Sequence, residues 1–143
     1  MIRLMTPADI SSVMKIERES FSDPWTMGNF MDDLFSPIPY LIVVEEEGKI
    51  LGYADCWMMY DEAHIANIAV DKNMRHKGIG RKMLEHLLEQ AKERGLEKAM
   101  LECRVSNENA IRLYESLGFE VIYRHPEYYT DTDEDAFIMI KYI

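Results

Sequence analysis

The stretch from His64 to Arg104 constrains the fold more than any other part of this 143-residue chain. It opens with His64-Ile65-Ala66-Asn67-Ile68-Ala69-Val70, whose composition predicts a strand. After Gly78 and Gly80 the period changes: Met83, Leu84, Leu87, Leu88 and Ala91 form a helical stripe that stops at Arg94-Gly95, a basic last turn followed by a glycine. Lys98 to Arg104 alternates again as a strand. Strand, helix and strand in that order make a right-handed crossover with the two strands parallel, and residues 71–80 are its strand-to-helix junction.

The flanking segments add antiparallel pieces. Thr6 is an N-cap with Pro7 at the first helical position, before Ile10, Val13 and Met14 at helical spacing. Phe21-Ser22-Asp23-Pro24-Trp25 reads as a turn. Thr26 then caps a short helix carrying Met27, Phe30, Met31 and Leu34, which Ser36-Pro37-Ile38-Pro39 ends. Tyr40 to Val44 and Lys49 to Met59, joined around Glu47-Gly48, predict a hairpin. Asn107 caps a helix with Ala110, Ile111, Tyr114 and Leu117, closed by Gly118; Phe119 to Arg124 and Ala136 to Ile140 are two final strands. The expectation is one mixed α/β domain over residues 1–143.

Composition narrows the function classes. The chain is 48% apolar and 29% charged, as in an ordinary water-soluble globular protein, and no apolar run approaches the ~20 residues of a membrane span. Met1 to Asp9 lack the features of a secretion signal, so the expected address is cytoplasmic. Cys56 and Cys103 show no CxxC spacing and read as buried reduced thiols, with no metal site expected. The net charge of −10 argues against nucleic acid and anionic lipid as partners. It suits a cationic partner and equally serves solubility, and composition leaves both open.

Within this acidic chain the junction reverses sign. Residues 72–82 hold five Lys or Arg and no Asp or Glu, which calls for an anion. Gly78 and Gly80 let the backbone turn tightly, so that amides at the start of the long helix can converge on one oxyanion, with the helix dipole and Arg75 adding attraction. The segment is not a P-loop, lacking Gly-Lys-Ser/Thr, nor a dinucleotide fingerprint, since Met83 stands where the third glycine belongs. An Arg-x-x-Gly-x-Gly pyrophosphate loop remains, beside the plain alternative of a solvated basic loop.

Two residues suit proton and charge handling. Alternation turns Glu102 away from Leu101 and Cys103, toward a cleft or toward solvent and Arg104. Tyr114 is either a core tyrosine or a phenol facing a site. Trp25, Tyr128 and Tyr129 are rim aromatics or the walls of an acceptor groove, and Asp131-Thr132-Asp133-Glu134-Asp135 is a solvated turn or an attractor of a basic protein.

Taken together, these motifs resemble the GCN5-related N-acetyltransferase (GNAT) superfamily. Arg75, Gly78 and Gly80 match its coenzyme A pyrophosphate motif, and Asn107, Ala110, Leu113, Tyr114, Gly118 and Phe119 match its Asn-x-x-Ala-x-x-Leu-Tyr-x-x-x-Gly-Phe pattern. The resemblance covers essentially the whole chain. It implies an α/β GNAT fold: a mixed, mostly antiparallel sheet with a splayed central parallel strand pair and helices on both faces. It implies acetyl-CoA as cosubstrate, with no metal, held by Arg75, His76, Lys77, Gly78, Ile79, Gly80 and Arg81, by the main chain of Ile68, Ala69 and Val70, and by Asn107. It makes Glu102 the general base, directly or through water, and turns Tyr114 toward the sulfur. A thiol has a pKa near ~8.5 and a phenol near ~10, so Tyr114 can serve as an acid or contribute only a hydrogen bond to the leaving thiolate.

Within the superfamily the chain is most similar to bacterial ribosomal-protein-alanine N-acetyltransferases and archaeal amino-terminal acetyltransferases. Phe21-Ser22-Asp23-Pro24-Trp25-Thr26, Asn67-Ile68-Ala69-Val70-Asp71, Leu101-Glu102-Cys103-Arg104-Val105-Ser106-Asn107, and Tyr128-Tyr129 followed by Glu134-Asp135-Ala136 carry this likeness. Cys103 stands in place of a more usual valine, and Arg124 lies one place further from the tyrosine pair than the pattern has it. The resemblance implies transfer to a protein amino terminus, the N-terminal alanine of small-subunit ribosomal protein eighteen, between walls of Trp25, Tyr128 and Tyr129, by a monomer or weak dimer. An α-amine has a pKa near ~7.7–8.0 against ~10.4 for lysine, so a carboxylate base has less work at a chain terminus. A small-amine acetyltransferase of the same fold and a non-catalytic coenzyme A-binding domain are the alternatives.

Overall fold

The computed structural model describes residues 1–143 and folds them around a single seven-stranded sheet. In chain order the elements are β1 (Ile2–Leu4), α1 (Ile10–Ser20), α2 (Met27–Leu34), β2 (Pro39–Glu46), β3 (Lys49–Met59), β4 (Glu62–Val70), α3 (Ile79–Glu93), β5 (Lys98–Arg104), α4 (Glu108–Ser116), β6 (Glu120–Tyr129) and β7 (Glu134–Tyr142). The strand order is β1-β2-β3-β4-β5-β7-β6, antiparallel except for β4 and β5. This is the mixed, mostly antiparallel GNAT architecture that the resemblance implies. No helix is long and apolar enough to cross a membrane.

Helices cover both faces because the inner strands are apolar on both. Along β2, Leu41 and Val43 enter a cluster with Ile10, Val13, Met14 and Ile16 of α1, Phe30 of α2, and Tyr53. Ile42 and Val44 point the other way, into a cluster with Ile79, Met83, Leu84, Leu87 and Ala91 of α3 and with Tyr114, Phe119, Leu101 and Met139. Cys56 and Cys103 belong to that second cluster as free thiols, and burial pushes them up to about 12 and about 11.

The parallel pair is short. β4 and β5 meet only at Glu62, Ala63 and His64, opposite Lys98, Ala99 and Met100. Beyond His64 they part, although β4 runs on to Val70 and β5 to Arg104. On its other side β4 carries a bulge: Asp55 pairs with Asn67 and Cys56 with Ile65, so Ala66 is the extra residue. A bulge bends and twists its strand, and this one lies where the pairing with β5 stops.

Several strands run a residue or two beyond the sequence reading at either end, and three differences have a specific cause. β1 has three residues, too few for alternation to show. The helix expected from Pro7 begins as a 3-10 turn, Pro7–Asp9, with α1 proper from Ile10, because Asp9 reaches back to the Thr6 amide at 2.8 Å and to Arg3. β6 passes Arg124 and continues to Tyr129, since register shifts after Val121 and His125 break its period and Pro126 reads as a strand end.

Asp55 is fully buried on β3, and no N–H or hydroxyl donor reaches either oxygen. Burial first, then the neighbouring Asp33 carboxyl of α2, push its pKa from 3.8 to about 9, so at neutral pH Asp55 is an acid that donates to Asp33. Asp33 also accepts from Trp57 Nε1 at 3.0 Å. Between these two values the folded chain holds a proton that the unfolded chain has released, so stability falls as pH rises through that window. Asp55→Asn keeps the shape and supplies an N–H to Asp33. It is expected to melt above the wild type at about pH 8, with the gap closing toward about pH 4. Calorimetric melts across this range check it; parallel pH profiles for the two proteins would overturn the assignment.

Candidate active site

Where β4 and β5 diverge, the β5-facing main-chain groups of β4 after His64 have no strand to pair with, and polar main-chain groups need partners. The space between the strands opens as a cleft on each side. One, about 580 Å³, lies at the start of α3. The other, about 620 Å³, lies between the α1–α2 turn and the C-terminal strands. Ser20, Phe21, Ile68, Asn107 and Tyr114 line both, so the clefts meet through the gap between the strands.

The first cleft has the features of an anion cradle. Gly78 is the residue before α3, at φ +84°, the left-handed region that favours glycine. The first helical bond runs from the Lys82 amide to the Gly78 carbonyl at 3.1 Å, leaving the amides of Ile79, Gly80 and Arg81 without main-chain partners at the positive end of the helix dipole. Ile68, Ala69, Val70, Arg75, His76, Gly78, Ile79, Gly80, Arg81 and Asn107 are all on the wall. Lys77 is not: it is solvent-exposed in the turn before α3, a departure from the expected set. Arg75 folds back over the end of β4, its Nε donating to the Val70 carbonyl at 3.2 Å and Nη2 to Ser20 Oγ at 3.1 Å. Asn107 caps α4 through its Oδ1, which accepts from the Ala110 amide at 3.3 Å.

The second cleft holds the proton-handling groups. Glu102 is half-buried on β5, and both its oxygens meet Nε2 of His64, at 2.9 and 2.8 Å. His64 packs edge-on against Trp57 with ring centroids 5.6 Å apart. The Glu102 hydrogen bond raises the His64 pKa above its ordinary 6.5, against the opposing effect of burial. Sequence reasoning missed His64, because only the parallel register, which sets His64 opposite Met100, brings it diagonally beside Glu102. Tyr114 is 8% exposed. Its hydroxyl makes no hydrogen bond within the protein, and burial holds the phenol above its usual range, so it remains a donor.

Arg104 does not pair with Glu102. It reaches Asp131 at 3.1 Å, Glu134 at 3.5 Å and Thr132 Oγ1 at 2.8 Å, and covers the Tyr129 ring at 4.0 Å. Most of the acidic run is thus paired within the chain, with Asp131, Thr132 and Asp133 still exposed to solvent: Glu134 also accepts the Ser106 amide at 3.0 Å, and Asp135 pairs with Arg124 at 2.7 Å and accepts from the Glu127 amide at 2.9 Å. Ser22 donates to Asp131, which joins the α1–α2 turn to the β6–β7 turn across the cleft mouth. Trp25, Tyr128 and Tyr129 all line this cleft, together with Glu17 and Asn67, which the sequence reading did not mark as site residues.

A splayed parallel pair, an anion cradle on one side and a carboxylate on the other describe an enzyme of the acyl-transfer class. The comparisons agree: the chain belongs to the Acetyltransferase (GNAT) family, whose model matches residues 10–119. It is 37% identical over 141 residues to the ribosomal protein bS18-alanine N-acetyltransferase of Escherichia coli strain K12, covering 96% of this chain and 94% of that one. The crystal structure of the ribosomal-protein-S18-alanine N-acetyltransferase from Escherichia coli superposes with a TM-score of 0.92 at 35% identity, over 100% of this chain and 93% of that one. Ard1 from Thermoplasma volcanium follows at 0.91 and 28%, over 100% and 97%. The chain is thus an N-acetyltransferase of a family whose enzymes take the acetyl group from acetyl-CoA.

A side chain at Gly78 would meet no atom within 4 Å, so a substitution there tests the cradle without crowding the protein. Gly78→Asp, a residue that tolerates left-handed backbone, sets a carboxylate beside the free amides. It is expected to fold, and to lose the rise in melting temperature that acetyl-CoA gives the wild type. An undiminished rise would remove the cradle from this loop.

Proposed function

We propose that this chain is an Nα-acetyltransferase of protein amino termini, that its substrate is the N-terminal alanine of ribosomal protein bS18 in the cytoplasm, and that residues 1–143 act as one catalytic domain. The observation that carries the reading is the pair of clefts meeting at Tyr114, with free helix amides on one side and Glu102 on the other. The likeness to bS18-alanine N-acetyltransferases over 96% of the chain supports the substrate.

Acetyl-CoA supplies an acetyl group activated as a thioester. The amides of Ile79, Gly80 and Arg81, with Arg75, hold its diphosphate, while the unpaired main chain of Ile68 to Val70 takes the pantetheine arm as an added strand. The amine enters between Trp25 and the Tyr128-Tyr129 pair, and Glu102, directly or through one water, accepts the proton that the amine sheds on attack. His64 meets both oxygens of Glu102, and so orients the carboxylate at the cleft wall and stabilises its charge. Tyr114, its phenol pushed up by burial, donates a hydrogen bond to the sulfur as negative charge develops. Because that phenol is a weaker acid than the departing thiol, it stabilises the thiolate without surrendering its proton.

Glu102→Gln is expected to lower kcat by about 10²–10⁴-fold with acetyl-CoA binding intact, and Tyr114→Phe by about 10–100-fold. Steady-state kinetics with an alanine-starting peptide, alongside a panel of small amines, check both; turnover of small amines alone would refute the amino-terminus assignment. In cells lacking the enzyme, intact-mass analysis should find bS18 lighter by one acetyl group.

The raised pKa of His64 sets a pH dependence. Below it, imidazolium occupies the Glu102 carboxylate and opposes proton uptake; above it, neutral His64 leaves the base free. The acidic limb of kcat therefore reports the pair with an apparent pKa above 6.5, and His64→Gln should move that limb to lower pH. An unmoved limb in the pH–kcat profile would take His64 out of the mechanism.

A further inference from the structure

Glu17 is the most deeply buried charged side chain on either cleft wall, 1% exposed, and the chemistry of Glu102, Tyr114 and His64 leaves it without a task. Its Oε2 accepts the main-chain amide of Trp25 at 2.9 Å; its Oε1 accepts Asn67 Nδ2 at 2.8 Å and the Tyr53 hydroxyl. No Lys, Arg or His pairs with it. Its three donors come from the α1–α2 turn, β4 and β3. The ring of Trp25 packs on Phe30 at 5.2 Å, and Phe30 sits edge-on to Tyr53 at 5.7 Å, which closes a circuit that begins and ends on this one carboxylate.

Apolar residues of similar volume generally pack a core as well as buried charge does, so the use of Glu17 lies in what an apolar residue cannot do. The Trp25 amide stands between Pro24 and the cap of α2, outside any helix or strand, and has no main-chain acceptor. Glu17 supplies one, and pins the turn to the two central strands. Glu17 and Trp25 line the acceptor cleft and are absent from the wall of the cofactor cleft.

Resting on the amino-terminus reading above, we propose that Glu17 is a positioning residue for the acceptor: it fixes the Ser22–Trp25 part of the turn, whose Ser22, Asp23 and Trp25 line the acceptor cleft alone, as the wall along which the first residues of the peptide lie. It sets the affinity for the acceptor amine and leaves acetyl-CoA binding and the transfer step alone.

Glu17→Gln keeps the shape and replaces one accepting oxygen with an NH2 group that cannot accept. It is expected to raise KM for an alanine-starting peptide roughly tenfold, the loss of one buried charge-assisted bond, with kcat and the KM for acetyl-CoA each within about twofold of wild type. Trp25 gives a second readout. In a Trp57→Phe background it is the sole tryptophan, and Glu17→Gln should increase its quenching by acrylamide in the free enzyme. Should Glu17→Gln fail to fold, Tyr53→Phe, which removes one donor, is expected to move both readouts the same way, with KM up about threefold. Unchanged peptide KM and unchanged quenching would overturn the proposal, as would an equal loss in kcat or acetyl-CoA affinity. If the wild type binds acetyl-CoA yet acetylates no peptide, the amino-terminus reading alone fails; the quenching and the KM for whichever amine is accepted then decide the role of Glu17.

Discussion

The rest of the site depends on β4 and β5 ceasing to pair after three residues. Main-chain N–H and C=O groups seldom stay unpaired inside a fold, and a sheet that splits mid-strand has to leave some for another molecule. The bulge at Ala66 provides the bend. It also resets the alternation of β4, so that Ile65 enters the α3-side core while Asn67 reaches Glu17 on the opposite face. One inserted residue thus lies where the gap opens and turns a polar side chain toward the second cleft.

Three carboxylates near this opening behave differently because their neighbours do. Glu102 faces one histidine and a cleft, so its charge is shared but available. Glu17 has its acceptors filled by three neutral donors and is committed to holding chain. Asp55, sealed beside Asp33 with no donor, keeps its proton. Burial alone does not choose among these outcomes; the partners do.

Charge is organised the same way at the cleft mouth. Arg104 draws Asp131 and Glu134 onto the Tyr129 ring, and Arg124 takes Asp135. These pairs spend most of the acidic run on shaping the β6–β7 turn, and the cleft wall there is aromatic, with the Tyr128 and Tyr129 rings 5.0 Å apart. The basic stretch at 72–82 keeps its cations nearer solvent, where the free amides of α3 add to the attraction for an anion.

Local chemistry made much of this legible in the residue order. Glycine spacing and the change from strand to helix period located the junction before α3, caps marked α2 and α4, and alternation turned Glu102 away from the core of Leu101 and Cys103, because these depend on neighbours within a few residues. His64 beside Glu102, Glu17 beneath Trp25 and the pairing of the acidic run were decided by tertiary structure alone. Each joins groups 8 to 50 residues apart; the Glu17–Trp25 contact is set by the path of the turn after α1, and the others by strand register and one bulge, quantities that a period-two pattern cannot encode once a residue is inserted into it.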